Sequence, residues 1–158
     1  MSKLRGSRRD WIVGFTCGAF DLFHVGHLTF LEACRRQCDE LHIGVNSDAS
    51  IKLYKSRVRP IIPQEERIQI LQSLWDANHY IHPFDEEHPY ELLSLIHPDI
   101  YFKGGDYTLD NLTSRPLVES WGGQVVIVPR APGSQSTSAI IETIRRRYPT
   151  DPRATYVP

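Results

Sequence analysis

Two rhythms of apolar residues alternate along this chain. Short apolar runs of strand type occupy residues 11–17, 40–45, 79–84, 100–103 and 124–128. Between them lie segments whose apolar residues recur at spacings of three and four, the period of a helix face. Residues 27–37 carry Leu28, Leu31 and Cys34, with Cys38 continuing the stripe, and residues 64–74 carry Ile68, Leu71 and Leu74. Further helices are predicted from Pro89 through Leu95, over 114–121 and over 136–147. Proline suits a first helical turn, where the N–H it lacks has no partner, and Arg145, Arg146 and Arg147 suit the negative end of the last helix. Residues 46–63, rich in Asn, Ser, Lys and Arg and without glycine, are predicted to form a long loop that stays mobile until a ligand binds.

Strands separated by helices call for a parallel sheet covered on both faces. The expected fold class is α/β: a Rossmann-like, doubly wound, five-stranded parallel sheet in a single domain. That domain is expected over 11–147, between a basic N-terminal extension at 1–10 and an extended, proline-containing tail at 148–158. A chain of 158 residues can bury roughly two-thirds of its unfolded surface in one domain. Ligands of such sheets bind beyond the carboxyl ends of the strands, so the segments that follow strands should meet at one edge.

Composition narrows the field. Hydrophobic residues at 41% and charged residues at 23% are the proportions of an ordinary soluble protein. A net charge of −1 gives no general attraction to nucleic acid or to an anionic membrane, so neither is expected as a partner. No apolar run reaches the length of about eighteen residues that a membrane span needs, and the basic start is not followed by the apolar core of a secretory signal. Cys17, Cys34 and Cys38 are an odd set without a CxxC pair. Together these point to the cytoplasm.

The densest chemistry lies in Gly18-Ala19-Phe20-Asp21-Leu22-Phe23-His24-Val25-Gly26-His27, between the first strand and the first helix. A strand, a glycine-bearing turn and a helix start make an anion cradle, because unpaired helix N–H groups point at whatever occupies it. His24 and His27 add two imidazoles that can donate to phosphate oxygens. One histidine here could simply fill the first turn. Two, framed by glycines and an aspartate after a strand, point to a triphosphate attacked at its α-phosphorus.

Three later segments also follow strands. Lys52, Lys55, Arg57 and Arg59 fall within eight residues, a set that a solvated loop would equally explain. Lys103-Gly104-Gly105-Asp106-Tyr107 allows close backbone approach, and Asp106 could hold magnesium or a sugar hydroxyl. In Gly133-Ser134-Gln135-Ser136-Thr137-Ser138, helix capping accounts for one of the hydroxyls of Ser136, Thr137 and Ser138 and leaves the others for a ligand.

The Gly18-Ala19-Phe20-Asp21 prefix with His24-Val25-Gly26-His27 resembles the His-x-Gly-His motif of the cytidylyltransferase-like nucleotidyltransferases. The run from Asn46 to Lys52, with Arg59-Pro60 and Glu65-Glu66-Arg67, resembles a segment of the superfamily's bacterial sugar-phosphate members. There the lysine meets the phosphates and the arginine corresponding to Arg67 supports the site. Lys103-Gly104-Gly105-Asp106-Tyr107 and Trp121-Gly122-Gly123 place the closest resemblance with the adenylyltransferase domain that makes ADP-heptose from heptose 1-phosphate. The resemblance covers roughly 12–145. That domain occurs fused to a sugar kinase or alone, and with no kinase half in these residues the stand-alone form is expected. Members are commonly dimers, so a homodimer is the implied assembly.

On this reading AMP passes from ATP to a sugar 1-phosphate by direct in-line attack, with Mg2+ as cofactor. His24, His27 and Lys52 are the expected catalytic residues. Cys17, Gly18, Ala19, Phe20, Asp21, Gly26, Lys103, Gly105, Asp106, Ser136, Thr137 and Ser138 are expected to bind nucleotide. Lys55, Arg59 and Arg67 support them, and Asp21 or Asp106 places the metal. Alternatives in the same chemistry are glycerol-3-phosphate cytidylyltransferase and FMN adenylyltransferase; one of another class is a nucleotide sensor without turnover. A dehydrogenase is disfavoured because Gly-x-Gly-x-x-Gly does not follow the first strand.

Overall fold

The structure, a computed structural model, describes residues 11–148. The expected N-terminal extension lies outside these residues, as does the expected tail apart from Tyr148. Five strands, β1 (Val13–Gly18), β2 (Glu40–Asn46), β3 (His79–Phe84), β4 (Ile100–Gly104) and β5 (Gln124–Val128), form one sheet in the order β3-β2-β1-β4-β5. All neighbouring strands are parallel. The expected five-stranded α/β fold is therefore present.

Alternation along the strands divides the core. On one face Leu41, Ile43, Val45 and Phe102 pack with Leu31 and Cys34 of α1 (Val25–Arg35) and Leu71 of α3 (Gln64–Gln72). On the other, Phe15 and Tyr101 pack with Leu93 of α4 (Tyr90–Ile96) and Val118 of α5 (Arg115–Glu119). A final helix, α6, covers Thr137–Arg147.

One expectation is corrected. Residues 46–63 are not all loop, because α2 occupies Asp48–Tyr54. Its start is capped by Ser47, whose hydroxyl accepts the Ser50 N–H at 3.1 Å, and Asp48 complements the positive end of the helix. Only Ser50 and Ile51 of this helix are buried, so its sequence carries almost no apolar stripe.

The sheet opens where ligands are expected. β1 pairs with β2 over six residues, from Val13 opposite Glu40 to Gly18 opposite Val45. Its pairing with β4 is confined to Gly14 and Phe15 against Ile100 and Tyr101. Beyond that point the Thr16 hydroxyl donates to the Phe102 carbonyl at 3.0 Å, bridging the gap. The reversal of strand order at β1 thus leaves a crevice at the carboxyl ends of the strands.

Candidate active site

A single cavity of about 750 Å³ occupies this crevice, within the size range of small-molecule sites. Its floor is the turn between β1 and α1. Phe20 and Leu22 both take left-handed backbone conformations, at φ 51° and 48°, a costly geometry that persists where surrounding contacts enforce it. The enforcing contacts centre on Asp21, whose side chain is fully buried. It accepts from Arg59 Nε at 3.1 Å and from the Ile61 and Ile62 N–H groups at 3.0 and 2.9 Å. Burial alone would raise its pKa, but these N–H donors and the Arg59 charge hold it below its ordinary value.

The turn delivers the two histidines. His24 stands at the start of α1 in extended conformation, and no side chain caps that start. His27 lies one turn further on. The rings stack, and no described residue hydrogen-bonds either one; both Nδ1 atoms are buried without a partner. An imidazole pair held without protein partners in a cavity is suited to a ligand that accepts hydrogen bonds. Burial, then Arg130, lowers the His24 pKa. Burial, then His24, lowers that of His27 to about 4, against the opposing pull of Asp21. The neutral rings each retain one N–H to donate.

Gly26, between them, serves a close approach of a different kind from the one expected. A Cβ there would lie 2.9 Å from the Gln135 carbonyl oxygen and 2.9 Å from the His24 ring. Its bareness lets the loop before α6 close against the start of α1. The Thr137 hydroxyl completes that junction by donating to the Asp21 carbonyl at 2.8 Å. Ser136 caps α6 by accepting the Ala139 N–H at 3.1 Å. Two of the three hydroxyls at this helix start therefore have structural duties, and Ser138 is the one left to a ligand. The N-termini of two eleven-residue helices converge here, a favourable field for a polyanion.

Cations complete the lining. Lys103 is only 8% exposed, with its ammonium 4.1 Å from the Tyr107 ring centre and 3.9 Å from Cys17 Sγ. Gly105 lies where a Cβ would be 3.1 Å from the Arg130 N–H nitrogen, so the loops after β4 and β5 meet. Lys55 lines the cavity, and desolvation together with Lys103, Arg59 and Arg67 lowers its pKa, although Cys17 opposes this. Lys52, one turn earlier in α2, is exposed and is not among the lining residues. Arg67 is 1% exposed and lies beneath the site, donating to the carbonyls of Ile62, Ala19 and Asn46 and to Asp48. It ties the ends of β1 and β2 to α3.

Of the two expected metal residues, only Asp106 fits. It lines the cavity, is exposed and has no described protein partner, so its carboxylate would be free to hold a magnesium ion. Asp21 does not fit, because Arg59, Ile61 and Ile62 already occupy its oxygens. Sequence reasoning missed Arg130, Asn46, Ser50, Glu87, His88 and Thr113, all on the cavity wall. Arg130 had a usable signal, its place soon after a strand, and Asn46 and Ser50 lay in the Asn46–Lys52 run, whereas Glu87, His88 and Thr113 sit in no recognisable motif.

Known proteins resemble this chain over most of its length. Residues 15–148 match the cytidylyltransferase-like family. The chain is 47% identical over 141 residues to the bifunctional protein HldE of Syntrophotalea carbinolica, covering 89% of this chain and 28% of that protein. It is 47% identical over 146 residues to the bifunctional protein HldE of Geobacter sulfurreducens, covering 92% and 29%. The chain thus spans less than a third of the length of these curated relatives. A lipopolysaccharide core biosynthesis protein from Thermoplasma volcanium shares the fold, with a TM-score of 0.62 and 24% identity over 77% of this chain and 97% of that one. A pantoate-beta-alanine ligase from Francisella tularensis also shares it, at a TM-score of 0.57 and 16% identity over 81% of this chain and 64% of that one. Among the described residues no helix is long and apolar enough to cross a membrane. The chain belongs to the cytidylyltransferase-like family and is a nucleotidyltransferase.

Proposed function

We propose that the protein transfers AMP from ATP to heptose 1-phosphate, releasing ADP-heptose and pyrophosphate. The observation that carries the chemistry is the unpartnered His24–His27 pair, set between the starts of α1 and α6. The sugar branch is supported by Lys103-Gly104-Gly105-Asp106-Tyr107 and by the similarity to HldE proteins.

An oxygen of the acceptor phosphate attacks the α-phosphorus in line. A new P–O bond forms, the bond to the β-phosphate bridging oxygen breaks, and pyrophosphate leaves with the electron pair. The nucleophile is already an anion, so no general base is required. What the protein must supply is positioning and preorganised charge. His24 and His27 donate to the α-phosphate and leaving-group oxygens, assisted by the helix starts. Lys55 and Lys103 offset repulsion between the two polyanions. Asp106 would hold magnesium, which supplies charge neutralisation on the departing pyrophosphate.

The test is pyrophosphate release in a screen of ATP, CTP and GTP against several phosphorylated acceptors. ATP with heptose 1-phosphate is expected to turn over fastest. Turnover of CTP with glycerol 3-phosphate alone would overturn the substrate, and binding without pyrophosphate release would leave a sensor.

A further inference from the structure

The cavity is longer than its phosphate end. The helix starts, Lys103 and Arg130 gather on the β1, β4 and β5 side. The same cavity continues along Asn46 and Ser50 after β2, Glu87 and His88 after β3, and Thr113 of the segment after β4, which the phosphate chemistry leaves unused.

This wall is fixed in place. The Asn46 side-chain amide donates to the Ser50 hydroxyl at 3.2 Å, and that hydroxyl donates to the Glu86 carbonyl at 3.2 Å. At the other end of the same segment the Tyr90 hydroxyl donates to Thr113 Oγ1 at 2.8 Å. The stretch carrying Glu87 and His88 is therefore anchored on both sides, while Glu87 has no described hydrogen bond or ion pair. Glu87 is the one carboxylate on this wall among the described residues, and the cations that line the cavity lie elsewhere.

We propose that this wall is the acceptor's hydroxyl subsite, with Glu87 as the residue that selects a polyhydroxylated phosphate ester. The inference rests on the sugar-phosphate reading above and deepens it. β3 is two strands from β1, which puts their ends roughly 10 Å apart at ordinary strand spacing. A phosphorylated sugar with its phosphate at the histidines spans that gap. An ionised carboxylate accepts from two adjacent hydroxyls at once, and Thr113 and His88 offer further polar groups beside it. The same charge repels phosphate, so the acceptor is driven to enter with its phosphate towards Lys55 and its hydroxyls towards Glu87.

The experiment compares wild type, Glu87→Ala and Glu87→Gln by pyrophosphate release with heptose 1-phosphate, a hexose 1-phosphate, glycerol 3-phosphate and phosphocholine. For Glu87→Ala the acceptor KM should rise by about tenfold or more, the loss of a charge-assisted hydrogen bond, while the KM for ATP stays unchanged. Its preference for the heptose over the shorter acceptors should shrink, and Glu87→Gln, which still accepts a hydrogen bond, should recover part of both. Unchanged acceptor KM and preference would overturn the proposal, as would a parallel rise in the KM for ATP. Preference of the wild type for phosphocholine would also overturn it, since Glu87 would then be recognising an ammonium. If the wild type prefers glycerol 3-phosphate, the heptose reading falls, and the KM split on that acceptor still decides the role of Glu87. If no acceptor is used, both fall.

Discussion

The imidazoles of His24 and His27 lie face to face, 3.8 Å between centroids and 22° between planes. They form one two-donor unit more than two independent residues. Replacing either by alanine should lower kcat by about 10²–10³, the usual loss for one preorganised donor to a developing oxyanion. The double variant should lose less than the product of the two. His42, bonded to Glu40 and His82 in the sheet and outside the cavity, is the control; His42→Ala should leave kcat nearly unchanged. Steady-state kinetics on folded variants decides this.

Acid should weaken the fold through His27. Burial and then His24 lower its pKa from 6.5 to about 4, so between these values the unfolded chain holds more protons than the native one. Stability is therefore full above pH 6.5 and declines as pH falls towards about 4. Urea midpoints across that window should fall more steeply for wild type than for His27→Asn. A bound triphosphate favours the protonated rings, so calorimetry in buffers of different ionisation enthalpy should detect proton uptake on ATP binding there.

Gly26→Ala tests the junction of the two helix starts. Its Cβ would sit 2.9 Å from the Gln135 carbonyl oxygen, which must move. We expect destabilisation of about 1–3 kcal/mol by thermal or urea unfolding, the range for overpacking, and a weaker affinity for ATP.

The two aspartates should separate cleanly. Asp21→Asn disturbs the Arg59 pair and the anchoring of Ile61 and Ile62, and should destabilise the protein by about 3 kcal/mol. Asp106→Asn should leave the unfolding midpoint in place and raise the magnesium concentration needed for half-maximal activity. A large magnesium effect for Asp21 with no loss of stability would reverse their roles.

Lys55 and Lys52 are both exposed and lie one helical turn apart, but only Lys55 lines the cavity. Lys55→Ala should lower kcat more than it weakens ATP binding, because its charge is needed most as the two phosphates approach. Lys52→Ala should have the smaller effect on kcat, and the reverse order would restore Lys52 as the catalytic lysine.

Much of this architecture was legible because its causes are local. Each of the five strands lies where an apolar run was seen, and α1 and α3 follow from stripes such as Leu31–Cys34 and Ile68–Leu71. α2 was not legible, because its one buried apolar residue, Ile51, makes no stripe; the signal was in Ser47 and Asp48, a cap followed by an acidic first turn. The beginning of α1 was placed two residues late because His24, an unusual cap, stands there without a capping hydrogen bond. The cradle was read from its residue types, but the duties of Asp21 and Thr137 depend on partners far along the chain, which spacing does not reveal. Glu87 and His88 belong to no motif, and only the fold brings them to the cavity.

The bond from Thr137 to the Asp21 carbonyl joins residues 116 positions apart. The turn that carries the two histidines therefore waits for α6, which is made more than a hundred residues after it. A growing chain that has already released β1 and α1 from the ribosome holds both histidines, yet lacks the opposite wall of its nucleotide site until residue 137 and the turn after it have emerged. Competence to grip ATP should thus arrive in one step with the docking of α6, so that chains made only through α1 do not sequester nucleotide.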